Sequence, residues 1–164
     1  VSRGLGDVYK RQLTDSVYAF ADLRQGKYLY VDKTEYVWKL VRSYKGIYFL
    51  SRPRWFGKSL MVSTLKAIFE GRKELFDGLA ISKKEYDWKP YPVIHFDMGN
   101  CSAKTPQALE RFIEDRLCDV AAEHNVTLRG QSYATRFESL ISALSKRGKV
   151  VILIDEYDLS LIHI

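Results

Sequence analysis

An α/β fold, a parallel sheet flanked by helices, is what the sequence predicts, and three observations predict it. Two short apolar runs, Pro92-Val93-Ile94-His95-Phe96-Asp97 and Val150-Val151-Ile152-Leu153-Ile154, are continuous rather than alternating, as strands buried on both faces are. Segments with apolar residues at helical spacing lie between and before them. Gly46, Gly71 and Gly148 stand where those segments stop. Strands and helices in alternation belong to parallel sheets covered by helices.

Each element has its own justification. Asp32-Lys33-Thr34-Glu35 has the pattern of a capping box, an N-cap acid with a Glu three residues on. The helix it opens carries Tyr36, Val37, Leu40, Val41 and Tyr44 on one face. Ile47-Tyr48-Phe49-Leu50 is a short β-rich run, and a second helix follows with Leu60, Met61, Leu65, Ile68 and Phe69 at helical spacing. The stretch 72–91 reads as irregular and polar-aromatic. After the strand at 92–97, Thr105-Pro106 is an N-cap with proline at the first helical position. Leu109, Phe112, Ile113, Leu117, Val120 and Ala121 mark a long amphipathic helix. Tyr133, Phe137, Leu140, Ile141 and Leu144 mark another over 133–147, ahead of the last strand.

Composition agrees with one domain of this kind. Of 164 residues, 46% are hydrophobic and 28% charged, enough to bury a core. No apolar run reaches the roughly 18 to 20 residues of a membrane span. Cys101 and Cys118 form no CxxC, which excludes a disulfide scaffold and a zinc ribbon and points to the cytoplasm. The charge of +6, from 26 basic and 20 acidic residues, does not by itself require nucleic acid.

The two ends read differently from the rest. Ser2 to Gln12 resembles the in-frame translation of a transposase sequencing adapter, and Leu159 to Ile164 resembles the reverse complement of its terminal repeat. The expectation is that 1–12 and 159–164 are adapter-derived and that 13–158 is the native N-terminal part of one domain. Its charge is then +4, from 23 basic and 19 acidic residues.

Chemistry concentrates at two places. Gly57-Lys58-Ser59 lies between a β run and a helix, where backbone N–H groups and the helix N-terminus can cradle phosphates. Lys58 would reach the β/γ oxygens and Ser59 would ligate Mg²⁺. The first glycine of a Walker A loop is missing, its position taken by Arg52. Val150 to Glu156 has the Walker B form: a buried strand ends in Asp155, on the Mg²⁺ side, with Glu156 placed to polarise the attacking water. Two motifs in this order at two strand ends predict a P-loop NTPase.

The segments YLYVDKTEYVWKLV, SRPRWFGKSL with STLKAIFEG, KPYPVIHFDM and KVVILIDEYD together closely resemble the predicted AAA-ATPase-like family of bacterial proteins. The resemblance spans most of 16–158. It implies a P-loop ATPase of the additional-strand class, cut here after the Walker B strand, using ATP and Mg²⁺ as a switch or regulator. In that class the strand after Walker B inserts between the Walker A and Walker B strands. It also implies a nucleic-acid partner where a PD-(D/E)XK nuclease-like domain follows, and no membrane partner.

Carried over by residue, Arg52, Pro53, Arg54, Trp55, Phe56, Gly57, Lys58, Ser59 and Leu60 form the nucleotide loop. Ser59 and Asp155 hold Mg²⁺, and Glu156 is the catalytic base. Arg52 is expected in this family; Trp55 departs from a usual second arginine, and Leu159-Ser160 from a usual Lys-Pro. Arg52 and Arg54 either touch phosphate or face solvent. The piece alone is expected to be inactive. The alternatives are a nucleotide-binding scaffold that does not hydrolyse, and a nucleic-acid module using Arg52, Arg54, Trp55 and Lys58 as a basic-aromatic patch.

Overall fold

Parallel strands need a crossover between them, and α4 and α5 supply it in the computed structural model, which describes residues 17–43, 46–53, 56–101, 103 and 105–157. In chain order come α1 (Phe20–Gln25), α2 (Thr34–Val41), α3 (Lys58–Phe69), β1 (Val93–Asp97), α4 (Pro106–Glu123), α5 (Tyr133–Ser145) and β2 (Val151–Asp155). Short 3-10 turns stand at Lys73–Phe76, Ala80–Lys83 and Met98–Asn100. The two strands pair in parallel, Val93 opposite Val151 through Asp97 opposite Asp155. The expected α/β class, with a small parallel sheet flanked by helices, is therefore what forms.

The period of 2 along β1 sends its side chains into two different cores. Ile94 and Phe96 pack with Leu117, Val120 and Ala121 of α4 and with Leu140 and Leu144 of α5. Val93 points the other way and joins Val151 and Leu153 against Ala67, Ile68 and Phe69 of α3. That second core also takes Phe20 of α1, Val37 and Val41 of α2, and the 3-10 residues Leu75, Phe76 and Ile81. Burying a side chain such as Phe76, which is wholly enclosed, contributes about 1.5–3 kcal/mol relative to leaving it in water.

Helix ends follow their sequence signals closely. The Thr105 hydroxyl accepts the Ala108 N–H ahead of Pro106, and Ser132 caps α5 reciprocally with Thr135. Gly71, at φ +74°, ends α3 in the left-handed region, and its N–H bonds the Ile68 carbonyl.

Four expectations change. The capping box before α2 is not closed by Glu35, which pairs with Lys84 at 3.4 Å. Asp32 instead accepts the Thr34 N–H and hydroxyl through one oxygen and the Ala80 N–H through the other. The stretch 72–91 is not merely irregular, since its 3-10 turns bury Leu75, Phe76, Leu79 and Ile81. Ile47-Tyr48-Phe49-Leu50 is exposed, takes no regular secondary structure and pairs with no described strand. Finally, β2 is buried on one face only: Val151, Leu153 and Asp155 are covered, while Ile152 and Ile154 are 43% and 54% exposed. The reason is placement, because α4 and α5 pack over Ile94 and Phe96 of β1 and leave the same face of β2 open. Tyr44 lies outside the described residues, as do 1–16 and 158–164.

Candidate functional site

The helix α3 runs against the direction of the sheet. The carbonyl of its last residue, Phe69, accepts the Tyr91 N–H at 2.7 Å, just before β1 begins. Twelve helical residues rise about 18 Å, and five strand residues about 17 Å. The N-terminus of α3 therefore lies toward the end of the sheet where Asp97 and Asp155 leave β1 and β2.

The chain enters that helix through an open loop. Arg52 and Pro53 are exposed and outside regular secondary structure, Arg54 and Trp55 lie outside the described residues, and Phe56 is 66% exposed. Gly57 adopts φ +73° as the N-cap residue, with no atom within 4 Å of where a Cβ would stand. The left-handed backbone is what demands glycine here, since a side chain in that region costs about 1–2 kcal/mol. Lys58, Ser59 and Leu60 then form the first turn, half-buried.

Gly57, as the N-cap residue, offers this turn no side-chain cap. The first N–H groups of a helix have no partner within it, and with the positive end of the helix dipole they suit an acceptor from outside the helix. Leu60 plays a different part from its neighbours. It packs against the α3 core, and its carbonyl accepts the hydroxyls of Thr64 at 2.7 Å and Ser63 at 3.1 Å.

Across the sheet, Asp155 is buried to 7% exposure, opposite Asp97 in the strand register. Its Oδ1 accepts the Glu156 N–H at 3.0 Å. Glu156 sits at φ +53°, in the left-handed region that non-glycine residues seldom take. Such an outlier at the end of a strand carrying an acid is where strain and function tend to coincide. Asp97 is tied down: Oδ1 accepts the Gly99 N–H at 3.1 Å and Oδ2 the Asn100 amide at 2.7 Å. The turn Met98–Asn100 that it caps packs on β2.

Lys58 and Ser59 thus stand at the end of α3 away from Tyr91, and Asp155 and Glu156 at the end of β2. Arg52, Pro53 and Phe56 stand in the exposed approach to α3. The sequence places Asp97 at a strand end near the expected switch point, as a support for the site, but passes over Gly99 and Asn100. The signal was present in Asp97-Met98-Gly99-Asn100, an acid at a strand exit followed by turn residues. His95 is half-buried, with Nε2 enclosed and without a hydrogen-bond partner. Cys101 and Cys118 are free thiols, one half-buried and one exposed.

Among the described residues no three His, Cys, Asp or Glu side chains gather into a metal cage. Mg²⁺ in phosphate sites needs no such cage, because one or two protein oxygens, water and substrate phosphates complete its shell. No described helix is long and apolar enough to cross a membrane.

A family model described as Predicted AAA-ATPase matches residues 16–164. An uncharacterized protein in the vnfD 5′ region of Azotobacter chroococcum mcd 1 is 35% identical over 153 residues, 91% of this chain and 29% of that relative. The chain thus spans under a third of the curated relative it matches. No solved structure matches it.

Proposed function

We propose that this chain, which belongs to the predicted AAA-ATPase family, is the nucleotide-binding part of a Mg²⁺-dependent ATPase of P-loop fold, acting as a switch or regulator in a larger protein. One observation carries the reading. A helix entered through a left-handed glycine and opening on Lys-Ser accompanies a parallel sheet whose second strand ends in the buried Asp155 and the half-buried Glu156. Free N–H groups and a lysine favour a polyphosphate, and neither motif has another evident task.

Each residue then has a definite task. The first-turn N–H groups and the Lys58 ammonium hold phosphate oxygens and orient the nucleotide. Mg²⁺, when bound with the nucleotide, neutralises phosphate charge, with the Ser59 hydroxyl and the Asp155 carboxylate as its protein donors. Glu156 polarises a water and accepts its proton as that water attacks. Leu60 anchors the first turn to the core, and Arg52 and Phe56 face the approach.

The unpaired run at 47–50 supports the additional-strand class. Lys149 Nζ donates to the Ser43 carbonyl at 3.0 Å, and the Phe49 and Tyr157 rings meet edge to face at 5.5 Å. Phe49 of the run thus meets the residue two places beyond β2, and Ser43, ahead of the run, meets the residue two places before it. In this reading a strand from sequence downstream of residue 158 enters between the run and β2.

Variants of the full-length protein test the function. Lys58→Ala should abolish binding of a fluorescent ATP analogue. Glu156→Gln should keep that binding and lower phosphate release at least 100-fold. A wild-type protein that binds ATP without releasing phosphate would make it a scaffold. Salt-sensitive DNA binding, indifferent to ATP and lost in Lys58→Ala, would make the loop a nucleic-acid patch instead.

A further inference from the structure

We infer that Gly99 is a positioning residue for Glu156, its missing side chain leaving the space that the Glu156 carboxylate fills. The inference rests on the reading of Glu156 as the base.

A Cβ built on Gly99 falls on Glu156 Oε2, with Glu156 Cδ at 3.1 Å and Asp97 Oδ1 at 3.2 Å. The backbone does not require glycine at this position, since Gly99 is absent from the residues of positive φ. What the site demands is room, and the occupant of that room is the acid that follows Asp155.

The wall around that space is fixed. Asp97 holds the turn through the Gly99 N–H and the Asn100 amide. The Cys101 N–H closes the turn on the Met98 carbonyl at 3.0 Å, and the Met98 side chain is buried in the α4–α5 core. From the other side, the left-handed backbone of Glu156 and its N–H bond to Asp155 fix where its side chain leaves the strand. Two constraints meet at one carboxylate: the strand end sets its origin and the glycine turn sets its resting place.

A methyl group at Gly99 meets the far end of a flexible side chain rather than backbone. The carboxylate should therefore swing aside while the turn stays folded. A general base acts only within hydrogen-bond reach of its proton, and about 1 Å of misplacement costs on the order of 100-fold in rate.

The test uses the full-length protein and compares wild type, Gly99→Ala, Glu156→Gln and the double variant. Gly99→Ala should lower kcat for ATP about 10- to 100-fold, with KM, binding of the fluorescent ATP analogue and melting midpoint unchanged. In the Glu156→Gln background it should lower turnover no further. Wild-type turnover in Gly99→Ala, with Glu156→Gln inactive, overturns the inference and leaves the ATPase reading standing. So does a Gly99→Ala protein whose binding and melting midpoint fall along with kcat, a merely structural effect. Phosphate release absent in wild type, or undiminished in Glu156→Gln, overturns both. Asn100→Ala supplies a second variant that loosens the same turn without adding bulk, and it should lower kcat while leaving binding intact. An unchanged kcat there overturns the role of the turn.

Discussion

His95 sits in the middle of β1 on the face that meets α3, and its surroundings hold it neutral. Burial is the largest influence depressing its pKa, and Lys66 on α3 adds to it; Asp97 and Asp155 pull the other way, and Arg116 on α4 depresses it again. Below its ordinary value of 6.5 the unfolded chain binds a proton that the folded chain still refuses. Stability is therefore full above pH 6.5, falls as pH drops below it, and levels off only below the folded pKa. Urea midpoints at pH 7.5 and pH 5.5 should show this loss in the wild type and a smaller one in His95→Leu. Equal losses in the two proteins would remove His95 as the cause. The apolar residues on both sides of His95 made its place in a strand legible from sequence. Its unpartnered Nε2 was not, because that depends on what α3 presents across the sheet.

At the scale of elements, the junction between α2 and the Ala80–Lys83 turn shows how a local signal can be put to a distant use. Asp32 and Thr34 look like the opening of a capping box, and Asp32 does satisfy the Thr34 N–H. The same carboxylate also holds the Ala80 N–H, and the Thr34 hydroxyl accepts the Ile81 N–H at 3.0 Å. Burial is the largest single influence on Asp32 and pushes its pKa up, but the hydrogen bonds from Thr34 and Ala80, with Arg24 nearby, outweigh it and leave the pKa lowered. Thr34 is wholly buried, so Thr34→Val should destabilise the fold by about 1–3 kcal/mol by orphaning the Ile81 N–H. Urea denaturation should show the midpoint falling with an unchanged slope; an unmoved midpoint would mean the bond contributes nothing net. The 3-10 turns themselves had no period to announce them. Phe76 is enclosed by Phe20 at 4.7 Å and Trp88 at 5.1 Å between ring centroids, a cluster drawn from three separated stretches. By contrast α3, α4 and α5 carried long apolar periods with caps, and the structure returns them nearly as read.

For the whole molecule, the run 47–50 and the open face of β2 form one feature. A strand is stable only when its backbone groups have partners, and β1 occupies a single edge of β2. The apolar character of 47–50 was legible because it is written in four consecutive residues; its missing partner was not, because pairing is a property of the sheet. Ile47, Phe49, Ile152 and Ile154 together expose apolar surface of the kind that marks contact with another segment. If a downstream strand enters there, a longer version of the chain should protect the amides of 47–50 from hydrogen exchange. In the 164-residue chain those amides should exchange at near-unfolded rates while Ile94 and Phe96 remain slow. Ile154→Asp separates this from mere surface exposure. On an open face the substitution is nearly neutral, whereas if the downstream chain that pairs at the edge of β2 also covers this face, it buries an unpaired charge and should destabilise the longer chain by several kcal/mol. Equal, small effects in both chains, with 47–50 exchanging fast in each, would mean that no strand enters and that the P-loop topology proposed above is wrong.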